Sequence, residues 1–449
     1  MIQRSNHKLA KNSGNSSKPP SSDFGNKPSP KSQRGNSGMK VGGQPGHKGH
    51  SLSLSLESDK VVYHSPEKCD KCGSRLDEQP ISCERRQVID LVDNNKFTTE
   101  HRAESKVCGK CKCTSKGSFP EYVTAPVQYG ASVRAKATYL NKRQMIPFAR
   151  TAEILKDLLG IKLSVGTIVT MVKQASDLLE DVNNYIKKVI LKSPVVNFDE
   201  SGMNVNSDRH WVHVAVTNVA SYFYAHRRRG PEAMDDMGIL PEYSGFAVHD
   251  HWKSYFTYTK STHYLCNAHH LRELEFIHER YSHTWAKDMQ IFLREAKKET
   301  ESCKKKGLLY LPEEKARSFS TRYDQIIAKG YLEDPPAPID PTKKKKRGRV
   351  GQSKGLNLLD RLRDFKESVL GFITSFSVPF DNNQAERDVR MLKVQQKISG
   401  TFRSERGPID YCRIMSYIST IRKNSINAIE AIRSVFLGAP IIPDGLRNG

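Results

Sequence analysis

The chain has 449 residues, with 72 Lys or Arg against 49 Asp or Glu, a formal net charge of +23 and a pI near 9.5. That length holds roughly two to four domains with at least one sizeable core, while no apolar run long enough for a membrane helix and no secretory leader can be read. A helical membrane protein is therefore not expected, a cytoplasmic location is expected, and the excess of cations, spread over several segments, predicts a nucleic-acid partner.

Residues 1–55 are rich in Ser, Asn, Gly and Pro, with nine Lys or Arg and one acid, Asp23, in the first fifty positions. Such a segment cannot bury enough apolar surface to offset its ordering entropy, and it reads as a disordered basic arm, either a phosphate-backbone contact or a linker. Residues 56–128 carry Cys69 and Cys72, then Cys83, then Cys108, Cys111 and Cys113. Two Cys-x-x-Cys pairs offer four thiolates to a tetrahedral Zn²⁺, with Cys69, Cys72, Cys108 and Cys111 as the expected ligands and Cys83 and Cys113 as spare ones. Nine cysteines without a secretory signal favour thiols and metal over disulfides.

Residues 129–192 read as helical. A segment from Ala149 to Leu159 ends at Gly160, and Ser164 caps a second whose apolar residues recur from Ile168 to Val189. Helix, short turn and helix is the shape of a helix-turn-helix DNA reader, and equally that of an ordinary helical hairpin.

At Pro194 the period changes to that of strands. Val195–Phe198 lead into an acidic turn at Asp199–Gly202, followed by His210–Thr217, Ser221–Ala225, a helix near Pro231–Met237, and a strand over 245–248 that delivers Asp250. Three strands, a helix and another strand, with acids closing the first and last, predict an α/β, ribonuclease-H-like catalytic core over 193–264. A right-handed crossover would bring Asp199 and Asp250 together at one sheet edge. Two adjacent buried carboxylates repel each other and call for a divalent cation.

Residues 265–375 read as an α-helical insertion carrying the basic run Lys343, Lys344, Lys345, Lys346 and Arg347, expected to lie on DNA. Cys266 and His269 open its first helix as half of a metal site or as packing. Residues 376–425 return to the core with a helix from about Gln384 to Lys397. Ala385, Val389 and Leu392 mark its packed face, and Glu386, Arg390, Lys393 and Lys397 line the adjacent stripe. Glu386 is placed as a third carboxylate holding two Mg²⁺ or Mn²⁺ ions with Asp199 and Asp250, and Arg390, Lys393 and Lys397 as DNA contacts. Residues 426–449 read as a C-terminal helix and tail.

The segments Asn15–Asp23 with Gly42–His50, Phe198–Gly202 (FDESG), His249–Tyr255 (HDHWKSY), Cys266–Leu274 (CNAHHLREL), Pro379–Lys393 (PFDNNQAERDVRMLK) and Lys397–Ser404 resemble the insertion sequence 66 family of DDE transposases over nearly the whole chain. The resemblance implies the triad Asp199, Asp250 and Glu386, strand cleavage and strand transfer, and terminal inverted repeats and target DNA as duplex partners. It also implies a homo-oligomer on DNA, accessory proteins encoded by the same element, and a nucleoid-associated location. Two departures stand out: only fourteen residues precede Asn15, where relatives carry a zipper-like helix, and His251 stands where many carry Gly. A DNA-binding regulator without chemistry and a nuclease that cuts without joining are the competing readings. Three convergent acids speak against the first, and a strand-transfer assay separates the second.

Overall fold

The computed structural model describes residues 127–336 and 352–447, together with Ala125 and two short strands. Those strands, β1 (Ser105–Val107) and β2 (Thr114–Lys116), pair antiparallel on either side of the second Cys-x-x-Cys in sequence. Cys69, Cys72, Cys108 and Cys111, the basic arm and the run Lys343–Arg347 lie outside the described residues.

Four helices come next: α1 (Ala131–Thr138), continued by a wider turn over Tyr139–Arg143, then α2 (Phe148–Leu159), α3 (Val165–Leu178) and α4 (Glu180–Lys192). Gly160 ends α2 at φ 62, a left-handed conformation that costs glycine little. Ser164 caps α3 by accepting the Thr167 N–H at 3.0 Å. Leu155, Leu163, Ile168 and Met171 form a small core where α2 and α3 meet. The single long helix expected after Ser164 is corrected to two, because the chain turns at buried Leu179, which re-aims Val182, Ile186 and Val189 onto the main core.

The centre is a five-stranded mixed sheet of β3 (Val195–Val205), β4 (Asp208–Val216), β5 (Ser221–His226), β6 (Phe246–His249) and β7 (Thr262–Leu265), in the order β5-β4-β3-β6-β7. β3, β4 and β5 form an antiparallel meander, after which α5 (Pro231–Met237) leads to β6, parallel to β3, with β7 parallel to β6. Alternation sorts the side chains of β3: Val196 and Phe198 join one core, Met203 and Val205 the other. β3 does not end in an acidic turn as expected from sequence. It runs six residues beyond Asp199, because β4 pairs with it from Asn197 to Val205 and gives the backbone groups on that side their partners. β7, four residues long, was not foreseen.

Between β7 and the final helices lies an α-helical insertion: α6 (Asn267–Tyr281), α7 (Thr284–Lys305), α8 (Glu313–Glu333), α9 (Lys354–Asp364) and α10 (Lys366–Thr374). It has its own core around Trp285, Phe292, Tyr323 and Leu359. α10 lies against β7, and a Cβ on Gly371 would stand 2.0 Å from the Tyr264 ring, so glycine is what permits the close approach. The chain then returns with α11 (Asn383–Ser399), α12 (Arg406–Lys423) and α13 (Ala428–Phe436). α11 lays Ala385, Val389 and Leu392 on β3 and β4, where each buried aliphatic side chain as large as Val or Leu contributes about 1.5–3 kcal/mol. No described helix is long and apolar enough to cross a membrane.

Candidate active site

The parallel pairing of β3 and β6 matches Val195 with Phe246, Val196 with Ala247 and Asn197 with Val248. Two residues further along the same register lie Asp199 and Asp250. The acids therefore flank one another because β6 stops at His249 while β3 continues, and Asp199 marks the end of the parallel pairing instead of the end of a strand. Asp199 accepts the Glu200 N–H at 2.9 Å, and Asp250 accepts the Trp252 N–H at 2.9 Å. Burial pushes the Asp199 carboxyl well above the usual carboxylate range, and the charges of Glu200, Glu386 and Asp250 add to the shift. Burial, then Glu200, pushes Asp250 up to about 6, against the opposing pull of Trp252 N–H, Arg229 and Arg361. His249, beside it, is buried on His263, with Nε2 and Nδ1 2.8 Å apart, and burial pushes it down to about 3.

Glu386 arrives from the first turn of α11, and several side chains fix that turn. Buried Asn382 donates through Nδ2 to the Phe198 carbonyl at 2.7 Å, and Gln384 Nε2 donates to the Thr217 carbonyl at 2.6 Å. Asp388, one turn on, accepts from the Ser221 hydroxyl at 2.6 Å. Asn382 N–H also donates to Cys266 Sγ at 3.1 Å, which ties the helix start to α6. Around Glu386 Oε1 stand Cys266 Sγ at 3.9 Å, His269 Nδ1 at 3.5 Å and Arg272 Nη2 at 3.6 Å. Burial, followed by the charge of Glu386, pushes the Cys266 thiol up to about 12, and burial holds His269 down at about 3.

A fourth carboxylate, Glu200, was missed in the sequence. It points to the opposite face of β3 from Asp199 and its side chain is only 2% exposed. Arg229 donates to its Oε1 through Nε at 2.9 Å and Nη2 at 2.5 Å, and the Tyr255 hydroxyl donates to Oε2 at 2.5 Å. Arg229 in turn stacks on Trp252, 4.2 Å from the ring centroid. The FDESG segment held the hint, since a charged residue beside Asp199 on a buried strand needs a partner. The insertion supplies further charged groups: Arg272 from α6 and Arg361 from α9, the latter paired with Glu273. Burial lowers Arg361 to about 10, and Asp250 partly restores it. Arg229, Asp250, Trp252 and Arg361, with Cys266 and His269, line a cavity of about 210 Å³ at this edge of the sheet.

Lys393 lies two turns beyond Glu386 and donates to the Gly202 carbonyl at 2.7 Å, so its ammonium is half-buried against β3. Arg390 and Lys397 are exposed on α11. Asp199, Asp250 and Glu386 thus occupy one neighbourhood, whereas among the described residues the tight trio of donors, all within 4.8 Å of one another, is Cys266, His269 and Glu386. Three hard carboxylates, two of them with raised protonation, suit a divalent cation with oxygen preference such as Mg²⁺ or Mn²⁺.

No curated protein matches the chain. Residues 1–53 match the model of a family of unknown function, DUF6444. Residues 126–408, which include the whole sheet, the insertion and the Glu386 helix, match the model described as Transposase IS66 family. The family implies a DNA-processing enzyme that binds DNA and uses divalent metal, and on this match, over more than half its length, the chain belongs to the Transposase IS66 family.

Proposed function

We propose that the chain cuts DNA at the terminal inverted repeats of its element and joins the freed ends to target DNA, with Asp199, Asp250 and Glu386 as the metal-holding acids. The observation that carries this reading is the register of β3 and β6, which sets Asp199 level with Asp250 while Asn382 pins the Glu386 helix to the carbonyl next to Asp199. The strand order, an antiparallel meander followed by parallel strands on the other side of β3, supports a ribonuclease-H-like core.

Divalent cations held there would supply activation of the attacking hydroxyl or water and charge for the leaving oxygen. The chain's own residues do the rest. Asp199 sits within β3, held by its pairing with β4, and Asp250 directly follows β6 with its carboxylate accepting the Trp252 N–H, so both acids are pre-positioned for the reaction. Arg229 and Arg361 line the adjoining cavity and orient a phosphate there, with Trp252 holding the Arg229 guanidinium flat. Arg390 and Lys397, on the exposed side of α11, and Lys343, Lys344, Lys345, Lys346 and Arg347 in the insertion contact the backbone of the duplex. Lys393 stiffens the helix against β3. Zn²⁺ on Cys69, Cys72, Cys108 and Cys111 organises the segment ahead of the helices, and Cys72→Ser should release one zinc per chain.

The test is strand transfer from a labelled inverted-repeat end into plasmid DNA with Mg²⁺. Joined product that is lost in Asp199→Asn supports the reading, and cleavage without any joining would make the protein a nuclease.

A further inference from the structure

Cys266 and His269 stand at the start of α6 as two donors that a two-cation carboxylate site does not use, and with Glu386 they form a donor set of their own. We propose that Cys266, His269 and Glu386 bind one Zn²⁺ or similar borderline-soft divalent ion, and that this binding withdraws Glu386 from Asp199 and Asp250. The binding stands on its own geometry. The withdrawal rests on the triad reading given above.

Four observations support the site. The three donors lie within 4.8 Å of one another, with sulfur 3.9 Å and nitrogen 3.5 Å from the same Glu386 oxygen. A tetrahedron built on Zn–S of about 2.3 Å and Zn–N or Zn–O of about 2.0–2.1 Å has edges of roughly 3.3–3.6 Å, so only small side-chain movements are needed. His269 Nδ1 is buried with no hydrogen-bond partner, a cost that a metal bond removes. Sγ of Cys266 already accepts the Asn382 N–H at 3.1 Å, the outer hydrogen bond that a ligating thiolate takes.

The fourth observation concerns room. The cavity of about 210 Å³ is lined by both Cys266 and His269, which leaves an open coordination position for water. Arg272 Nη2 stands 3.6 Å from Oε1 and can move to the other oxygen of Glu386. Selectivity follows from the donors. Thiolate and imidazole favour zinc, cobalt or iron over Mg²⁺, while Asp199 and Asp250 offer only oxygen. Glu386 is shared between the two sets, and an oxygen bound to zinc beside Cys266 is not available to a cation between the aspartates.

The experiment uses the full-length chain, which also carries the cysteine-rich segment, so zinc is counted by difference. Wild type, Cys266→Ser and His269→Gln are loaded with Zn²⁺, desalted and assayed for zinc per chain, then reloaded with Co²⁺ and read for thiolate-to-cobalt absorption. Each variant should hold one zinc fewer than wild type, and Cys266→Ser should lose one thiolate's share of the cobalt band. Equal zinc content in wild type and His269→Gln overturns the site. His269 is partly exposed, so its circular dichroism should match wild type and guard against a folding artefact from buried Cys266.

Strand cutting at fixed Mg²⁺ then tests the withdrawal. Added Zn²⁺ should suppress wild-type cleavage at least about tenfold and His269→Gln far less. Equal suppression of both overturns the withdrawal. A wild-type chain that cuts no DNA counts against the triad, and the zinc count alone then decides the site.

Discussion

The side-chain amide of Asn382 donates to the main-chain carbonyl of Phe198 at 2.7 Å, so the helix that carries Glu386 is fastened to the strand residue directly before Asp199. Two segments 184 residues apart meet through this bond, and the mutual placement of two acids depends on it. Replacing Asn382 with Leu should leave the Phe198 carbonyl without this donor and destabilise the fold by about 1–3 kcal/mol in urea unfolding. Cleavage should fall more steeply than stability, because Glu386 moves. Unchanged cleavage at reduced stability would make Asn382 structural only.

Asp199→Asn, Asp250→Asn and Glu386→Gln should each lower Mg²⁺-dependent cleavage by more than about a thousandfold while DNA binding persists. Mn²⁺ should replace Mg²⁺, and Ca²⁺ should support binding with little cutting. Near-normal cutting by Glu386→Gln would move the third acid elsewhere.

The metal-free chain should lose stability as pH rises. Burial, followed by Glu200, raises Asp250 from the ordinary 3.8 to about 6, and Asp199 is raised as well, so the folded state binds more protons than the unfolded one in this window. Stability that these carboxyls contribute in protonated form is complete below the ordinary carboxylate value and is lost as pH climbs through about 6. For Asp250 alone the loss reaches up to about 3 kcal/mol. Thermal unfolding in EDTA from pH 4 to 8 should show the fall, and Asp250→Asn should flatten it. A profile unaffected by that substitution would refute the raised carboxyl.

Arg229→Ala should cost on the order of 3 kcal/mol, since it strands the charge of buried Glu200 and leaves only the Tyr255 hydroxyl as its partner. Arg229→Ala combined with Glu200→Gln should recover most of that stability. Failure of the double variant to recover would mean that stacking of Arg229 on Trp252 carries the effect.

Binding to duplex DNA should weaken steeply with salt, and replacing Lys343 to Lys346 with Gln should reduce the slope of log K on log salt by up to about four. A loss of affinity confined to the terminal repeats would instead identify that segment as a sequence reader.

Much of this site could be read along the chain because its parts are local. Asp199 and Asp250 follow short, largely apolar strand runs, the apolar spacing of Ala385, Val389 and Leu392 fixes which way α11 faces, and Gly160 and Ser164 punctuate helices through their own backbone preferences. These signals need only the neighbouring residues and the periods of helix and strand. Other features depend on partners distant in sequence. That β3 runs on past Asp199 was decided by β4 pairing along its whole length, and that Leu179 breaks a long helix was decided by the two surfaces the helices must cover. The pairing of Glu200 with Arg229, the approach of Arg361 and Arg272 from the insertion, and the meeting of Cys266 and His269 with Glu386 are likewise set by packing alone. A buried charge is tolerable only where a partner desolvates with it, and which partner arrives depends on how the helices of the insertion close over the sheet edge.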